Sequence, residues 1–125
     1  MLRLTVLLLI AGLSAHTFAA DFATVNHEFQ AGQFKQAFKD AVPLARAGNL
    51  NARLEVGFMY EFGKGVQQDE KKAAKWYLSA VHPNSFNARP LERGWAYYEG
   101  HGVTQSDKKA AQWFRMAAEL SQDRY

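Results

Sequence analysis

Gly63-Lys64-Gly65-Val66 returns thirty-seven positions later as Gly100-His101-Gly102-Val103, and the same offset carries the match well beyond the loop. Gly57 falls on Gly94, Tyr60 on Tyr97, Ala73-Ala74 on Ala110-Ala111, and Trp76-Tyr77 on Trp113-Phe114. A period of this size marks stacked supersecondary units rather than one globular core around a catalytic cleft. Upstream, an offset of thirty-six aligns Asn51-Ala52-Arg53 with Asn87-Ala88-Arg89, and Ala37 with Ala73. Pro90, inserted between Arg89 and Leu91, accounts for the change of register.

Each half of the unit has a helical period. Between Ala52 and Phe62 the apolar residues Leu54, Val56, Phe58, Met59, Tyr60 and Phe62 are too dense for a helix with one wet face. Such a helix is expected to be covered from more than one side. Gly63 ends it, because glycine adopts the left-handed conformation without a Cβ clash. Asp69 and, in the second copy, Ser106 are N-cap residues, followed by Glu70 and Asp107 near the positive end of the next helix. The helices that follow place Ala73, Trp76, Tyr77 and Ala80, and then Ala110, Trp113, Phe114 and Ala117, at spacings of three and four. The alanines let two helices approach while an aromatic ring fills the remaining gap.

Before the first full unit lies a degenerate pair. Phe22, Val25 and Phe29 mark one helical face, Gly32-Gln33 a turn, and Ala37, Ala41, Leu44 and Ala45 a second face. Pro43 is expected to kink or split that second helix, since it removes a backbone donor. Gly48-Asn49 closes it. The fold expected is all-α, about six antiparallel helices in three pairs.

The first residues read differently. Met1-Leu2-Arg3 carries one positive charge, Leu4 to Leu13 is nearly all apolar, and small residues precede Asp21. This is the pattern of a secretory signal over residues 1–19, with cleavage expected after Ala19 or Ala20. The apolar run is shorter than the roughly 20 residues of a membrane-spanning helix, so no stable membrane insertion is expected after cleavage. A protein so exported is expected to be periplasmic or secreted. Loss of Arg3 would lower the formal net charge of +3 by one. Charge so small and so evenly spread speaks against a nucleic-acid partner. The chain has no cysteine, so packing alone has to hold it together.

The pattern Ala52-x-x-x-Val56-Gly57-x-x-Tyr60-x-x-Gly63-x-Gly65-Val66-x-x-Asp69-x-x-x-Ala73-x-x-Trp76-Tyr77, with its second copy from Gly94 to Ala118, closely resembles the Sel-one-like repeat. This is an α/α relative of the tetratricopeptide repeat. The resemblance covers nearly all of the chain after the signal. It divides it into a degenerate helix pair at 20–49, a first unit at 50–86 and a second at 87–125. It implies an α/α solenoid that binds another protein, as a scaffold or adaptor, on the concave surface lined by the first helix of each pair. By that analogy Gly57, Tyr60, Gly94 and Tyr97 are structural. Leu54, Phe58, Glu61 and Phe62, then Leu91, Trp95, Tyr98 and Glu99, face the groove. Arg93 joins them as a departure, standing where the family pattern has leucine just after the extra Pro90. The aromatic-rich strip suits a buried anchor from a partner, although the same rings would also serve to pack helix pairs together. Two alternatives remain open: a periplasmic inhibitor or immunity-type protein that caps an effector, and a peptidoglycan-associated protein.

Catalytic patterns are weak by comparison. His27, His82 and His101 have no histidine or carboxylate partner at zinc-binding spacing. His101 occupies a loop slot where the first copy has Lys64, which suits a solvent-facing residue better than a ligand. Glu61 and Glu99 each stand alone near a glycine loop. The glycine loops are too short for a phosphate cradle and follow a helix instead of a strand. No enzyme activity, metal or cofactor is expected. At the other end of the chain, Met116 and Leu120 with Trp113 and Phe114 are expected to leave an apolar edge on the last helix, suited to a homodimer or a docked partner.

Overall fold

A computed structural model describes residues 21–85 and 88–123. The export signal over residues 1–19 and its cleavage after Ala19 or Ala20 lie outside the described residues. Among those described there are six helices and no strand: α1 (Phe22–Gln30), α2 (Phe34–Arg46), α3 (Leu50–Phe62), α4 (Glu70–Ser79), α5 (Ala88–Glu99) and α6 (Asp107–Gln122). They form three helix pairs in an all-α repeat fold.

The helix boundaries follow from local chemistry. Asp69 accepts a hydrogen bond from the Lys72 backbone N–H at 2.9 Å, and Ser106 one from Lys109 at 3.2 Å. Asp21 and Asn49 cap α1 and α3 in the same way. Each of these bonds satisfies a donor that the first helical turn leaves without a partner. At the other end of α3, Gly63 takes φ +66°, and Gly100 takes φ +74° at the matching place in the second copy. Pro43 does not split α2, which runs unbroken from Phe34 to Arg46. It sits in the last turn on the exposed side, where a single missing backbone bond leaves the rest of the ladder intact. Pro90 lies in the first turn of α5, where its absent N–H would have had no helical partner.

α3 is covered by α2, α4 and α6, in keeping with its dense apolar pattern. One core joins Val25, Ala37, Ala41, Ala45, Ala52, Val56 and Met59 across α1, α2 and α3. The other joins Ala73, Ala74 and Tyr77 of α4 to Ala110, Ala111 and Phe114 of α6. The small alanines bring these backbones close, and the rings fill what remains. Gly57 and Gly94 are part of this packing. A Cβ on Gly57 would stand 2.7 Å from the Tyr77 ring, and one on Gly94 only 2.4 Å from that of Phe114.

Arg53 ties the pairs together. Its Nε donates to the Ala45 carbonyl and its Nη1 to that of Ser79, both at 2.9 Å. Those carbonyls belong to the last turns of α2 and α4, which a cation satisfies electrostatically as well as by hydrogen bonding. Further on, the Ser121 hydroxyl accepts from the His82 backbone N–H at 3.0 Å and donates to the Ala118 carbonyl at 2.7 Å. These bonds fasten the turn after α4 to α6.

Candidate functional site

Helical geometry decides what α3 and α5 present outward. Residues three and four apart share a face, so Phe58 and Phe62 fall on one stripe of α3, with Trp95 and Glu99 at the matching places on α5. Phe62 is 48% exposed and Trp95 40%. Phe58 links the α3 stripe to α1: its ring lies 5.7 Å from Phe29 and 4.6 Å from Phe62. Trp95 makes edge-to-face contacts with Tyr98 at 5.6 Å and Phe114 at 5.5 Å. Leu54, Phe58, Leu91 and Tyr98 are partly buried against the second core. The structure therefore brings Leu54, Phe58, Phe62, Leu91, Trp95 and Tyr98 into one aromatic-rich region, with packing and exposure combined in the same side chains.

Glu61 is placed otherwise. It is 7% exposed and does not stand alone. The Tyr77 hydroxyl donates to Glu61 Oε2, and Arg115 Nη1 reaches the same oxygen at 3.1 Å. Burial, and then the adjacent Glu61 carboxylate, push the Tyr77 hydroxyl far above the ordinary phenol range. Tyr77 is thus a hydrogen-bond donor at any physiological pH. Arg115 also lies over the Phe62 ring at 5.7 Å, so the ion pair fixes a cation against the face of an exposed aromatic. Arg93 turns instead to α6, with its guanidinium 5.1 Å above the Trp113 ring. Glu99 pairs with His101 at 3.1 Å, both side chains in solvent.

The apolar edge expected on α6 is smaller than the sequence implies. Phe114 is 1% exposed, because the gap over Gly94 draws its ring into the core. Trp113 is half-buried under Arg93. Met116 and Leu120 remain exposed, at 44% and 43%.

Arg115, Phe29 and Glu55 belong to this region although the family pattern does not single them out. Arg115 had a readable signal: it occupies the position that Leu78 holds in the first copy, a change from leucine to a cation. Glu55 lies one turn before Phe58 and Phe62 on the same stripe, and its Oε1 is buried with no hydrogen-bond partner. Burial pushes its carboxyl above the ordinary glutamate range.

Among the described residues no group of three or more His, Cys, Asp or Glu side chains is placed to hold a metal ion. No described helix is long and apolar enough to cross a membrane. The family model described as the Sel1 repeat matches residues 50–81 and 92–122. No curated protein and no solved structure matches the chain.

Proposed function

Because the chain belongs to the Sel1 repeat family, whose repeats generally mediate protein binding, we propose that it is an exported scaffold that holds one partner protein against the first helices of its pairs. The observation that carries this reading is the joint exposure of Phe62 and Trp95 beside partly buried rings of the same surface. Large aromatics half-set into a well-packed surface are what partner anchors require, since little conformational entropy is lost when they bind. Arg115, pinned by Glu61, adds a fixed cation to that surface. Export is supported by the charged, apolar and small-residue pattern of the first twenty residues. N-terminal sequencing of the mature protein tests it, with Ala20 or Asp21 as the expected first residue.

The binding reading is tested by affinity capture from periplasmic extract, comparing the wild-type chain with Trp95→Ala and Phe62→Ala. One stoichiometric protein partner is expected, with Trp95→Ala weakening its binding by about 2 kcal/mol while the melting temperature falls little. A large fall in melting temperature with unchanged affinity would place Trp95 in the core instead. Retention on purified cell wall with no protein partner would replace the scaffold with a peptidoglycan-associated protein.

A further inference from the structure

The charges of this chain are sorted by helix. Every lysine of the six described helices lies on α2, α4 or α6, the second members of the pairs, and α1, α3 and α5 carry none. The arginines of α3 and α5 do not reverse this. Arg53 is occupied by the ends of α2 and α4, Arg93 lies on Trp113, and Arg89 is exposed in the first turn of α5. Carboxylates, by contrast, recur on the stripes that carry the exposed aromatics. On α3 the stripe reads Glu55, Phe58, Phe62, and at the matching positions of α5 it reads Glu92, Trp95, Glu99. Arg115, the cation beside Phe62, is held in an ion pair by Glu61.

We infer that the surface is specific for an amphipathic segment of another protein that carries a lysine or arginine about one helical turn from a large apolar side chain. This rests on the binding reading above and adds the charge of the partner to it. The apolar side chain of such a segment would lie among Phe58, Phe62 and Trp95. Its cation would meet the accessible side of the partly buried Glu55 carboxylate, whose other oxygen, Oε1, is buried without a donor, with Glu92 as the second contact one repeat along. A carboxylate held in a partly desolvated setting attracts a cation more strongly than one fully in water, so a partner's ammonium or guanidinium gains more here than at an exposed carboxylate. The elevated protonation point of Glu55 is the expected companion of that environment.

The test is selection of random dodecapeptides displayed on phage against the full mature chain. The selected peptide is then synthesised and titrated against the wild type, Glu55→Gln, Glu92→Gln, Trp95→Ala and Phe62→Ala. The isosteric glutamines keep packing nearly unchanged, and circular dichroism confirms that each variant is folded. The expected consensus pairs Lys or Arg with Leu, Phe or Trp at three- or four-residue spacing. Its dissociation constant should rise about tenfold in Glu55→Gln and about two- to fivefold in Glu92→Gln, and also with added salt. An acidic or uncharged consensus that still depends on Trp95 overturns the charge preference and leaves the binding surface standing. No consensus, or binding indifferent to both Trp95→Ala and Phe62→Ala, overturns the two together.

Discussion

The two repeat units use one joint and finish it in different ways. In each, a glycine of the first helix lets a ring of the second lie flat against the backbone: Gly57 under Tyr77, and Gly94 under Phe114. In the first unit the ring carries a hydroxyl that donates to buried Glu61, and Arg115 arrives from the second unit to complete the pair. In the second unit, Tyr98 stands at the place of Glu61 and meets Phe114 ring to ring at 6.4 Å. The close glycine–ring approach is thus the common requirement, and the residue above it is free to be polar or aromatic. The polar version does more than fill space, because it fastens one unit to the next. The glycine loops differ in a parallel way. A Cβ on Gly65 would stand 2.2 Å from the Phe34 carbonyl oxygen at the start of α2, whereas one on Gly102 would have no atom within 4 Å. The first loop is seated on its neighbour, and the second is open.

That contrast between the loops yields the largest expected effect. Gly65 and Gly102 have nearly the same backbone, φ +73° and +75°, so alanine brings the same left-handed strain of about 1–2 kcal/mol to each. Only Gly65→Ala also drives a methyl into backbone that has no side-chain freedom to yield, adding about 1–3 kcal/mol. Urea unfolding should therefore show Gly65→Ala destabilised well beyond Gly102→Ala. Equal losses would mean that the seat of the first loop on α2 contributes nothing.

Next comes the joint itself. Glu61→Leu would leave the Tyr77 hydroxyl buried without an acceptor and Arg115 without its counter-ion. Removing one partner of a buried pair costs about 3–5 kcal/mol, and about 2–4 is expected here because Arg115 keeps some access to water. Tyr98→Leu, at the equivalent place, exchanges one apolar contact for another and should cost less than about 1.5 kcal/mol. A comparable loss for both would erase the distinction between a polar and an aromatic closure.

Much of the architecture could be read from residue spacing, and the reasons are local. The caps at Asp69 and Ser106, the left-handed turns at Gly63 and Gly100, and the alanine faces of α4 and α6 each depend on a few neighbouring residues. Pro43 misleads because its effect depends on where it falls in the helix. In the last turn, on the exposed side, it removes one bond and breaks nothing. Glu61 misleads for a different reason. Its place beside a glycine loop says nothing about Arg115, fifty-four residues along the chain, and only the folded chain brings the two together. The differences between copies did hold that information in outline. Glu61 with Tyr77 becomes Tyr98 with Phe114, and Leu78 becomes Arg115. Phe114 shows the same limit on α6: spacing placed it at an edge, and the missing side chain of Gly94 drew it into the core.

The smallest expected effect separates two glutamates at one repeat position. Glu55 has a buried oxygen and a carboxyl raised above the ordinary value by desolvation, while Glu92 is exposed. A carboxyl whose folded-state pKa is raised binds its proton more tightly in the folded chain than in the unfolded one. Stability is then greatest below the unfolded value, near 4.5, and declines as pH rises through the folded value before levelling off. Glu28, raised first by burial and then by its neighbour Asp40, acts in the same direction, so the wild-type profile contains both contributions. Replacing Glu55 with glutamine removes only its share, flattening the decline by a few tenths of a kcal/mol, since the side chain is only partly buried. Glu92→Gln, which removes an exposed carboxylate at the matching position, controls for the loss of a charge. Urea midpoints measured at pH 4.5, 5.5, 6.5 and 7.5 for the wild type and both variants read this directly. Superimposable profiles for all three would place the Glu55 carboxylate in contact with water and leave the two units alike at this position.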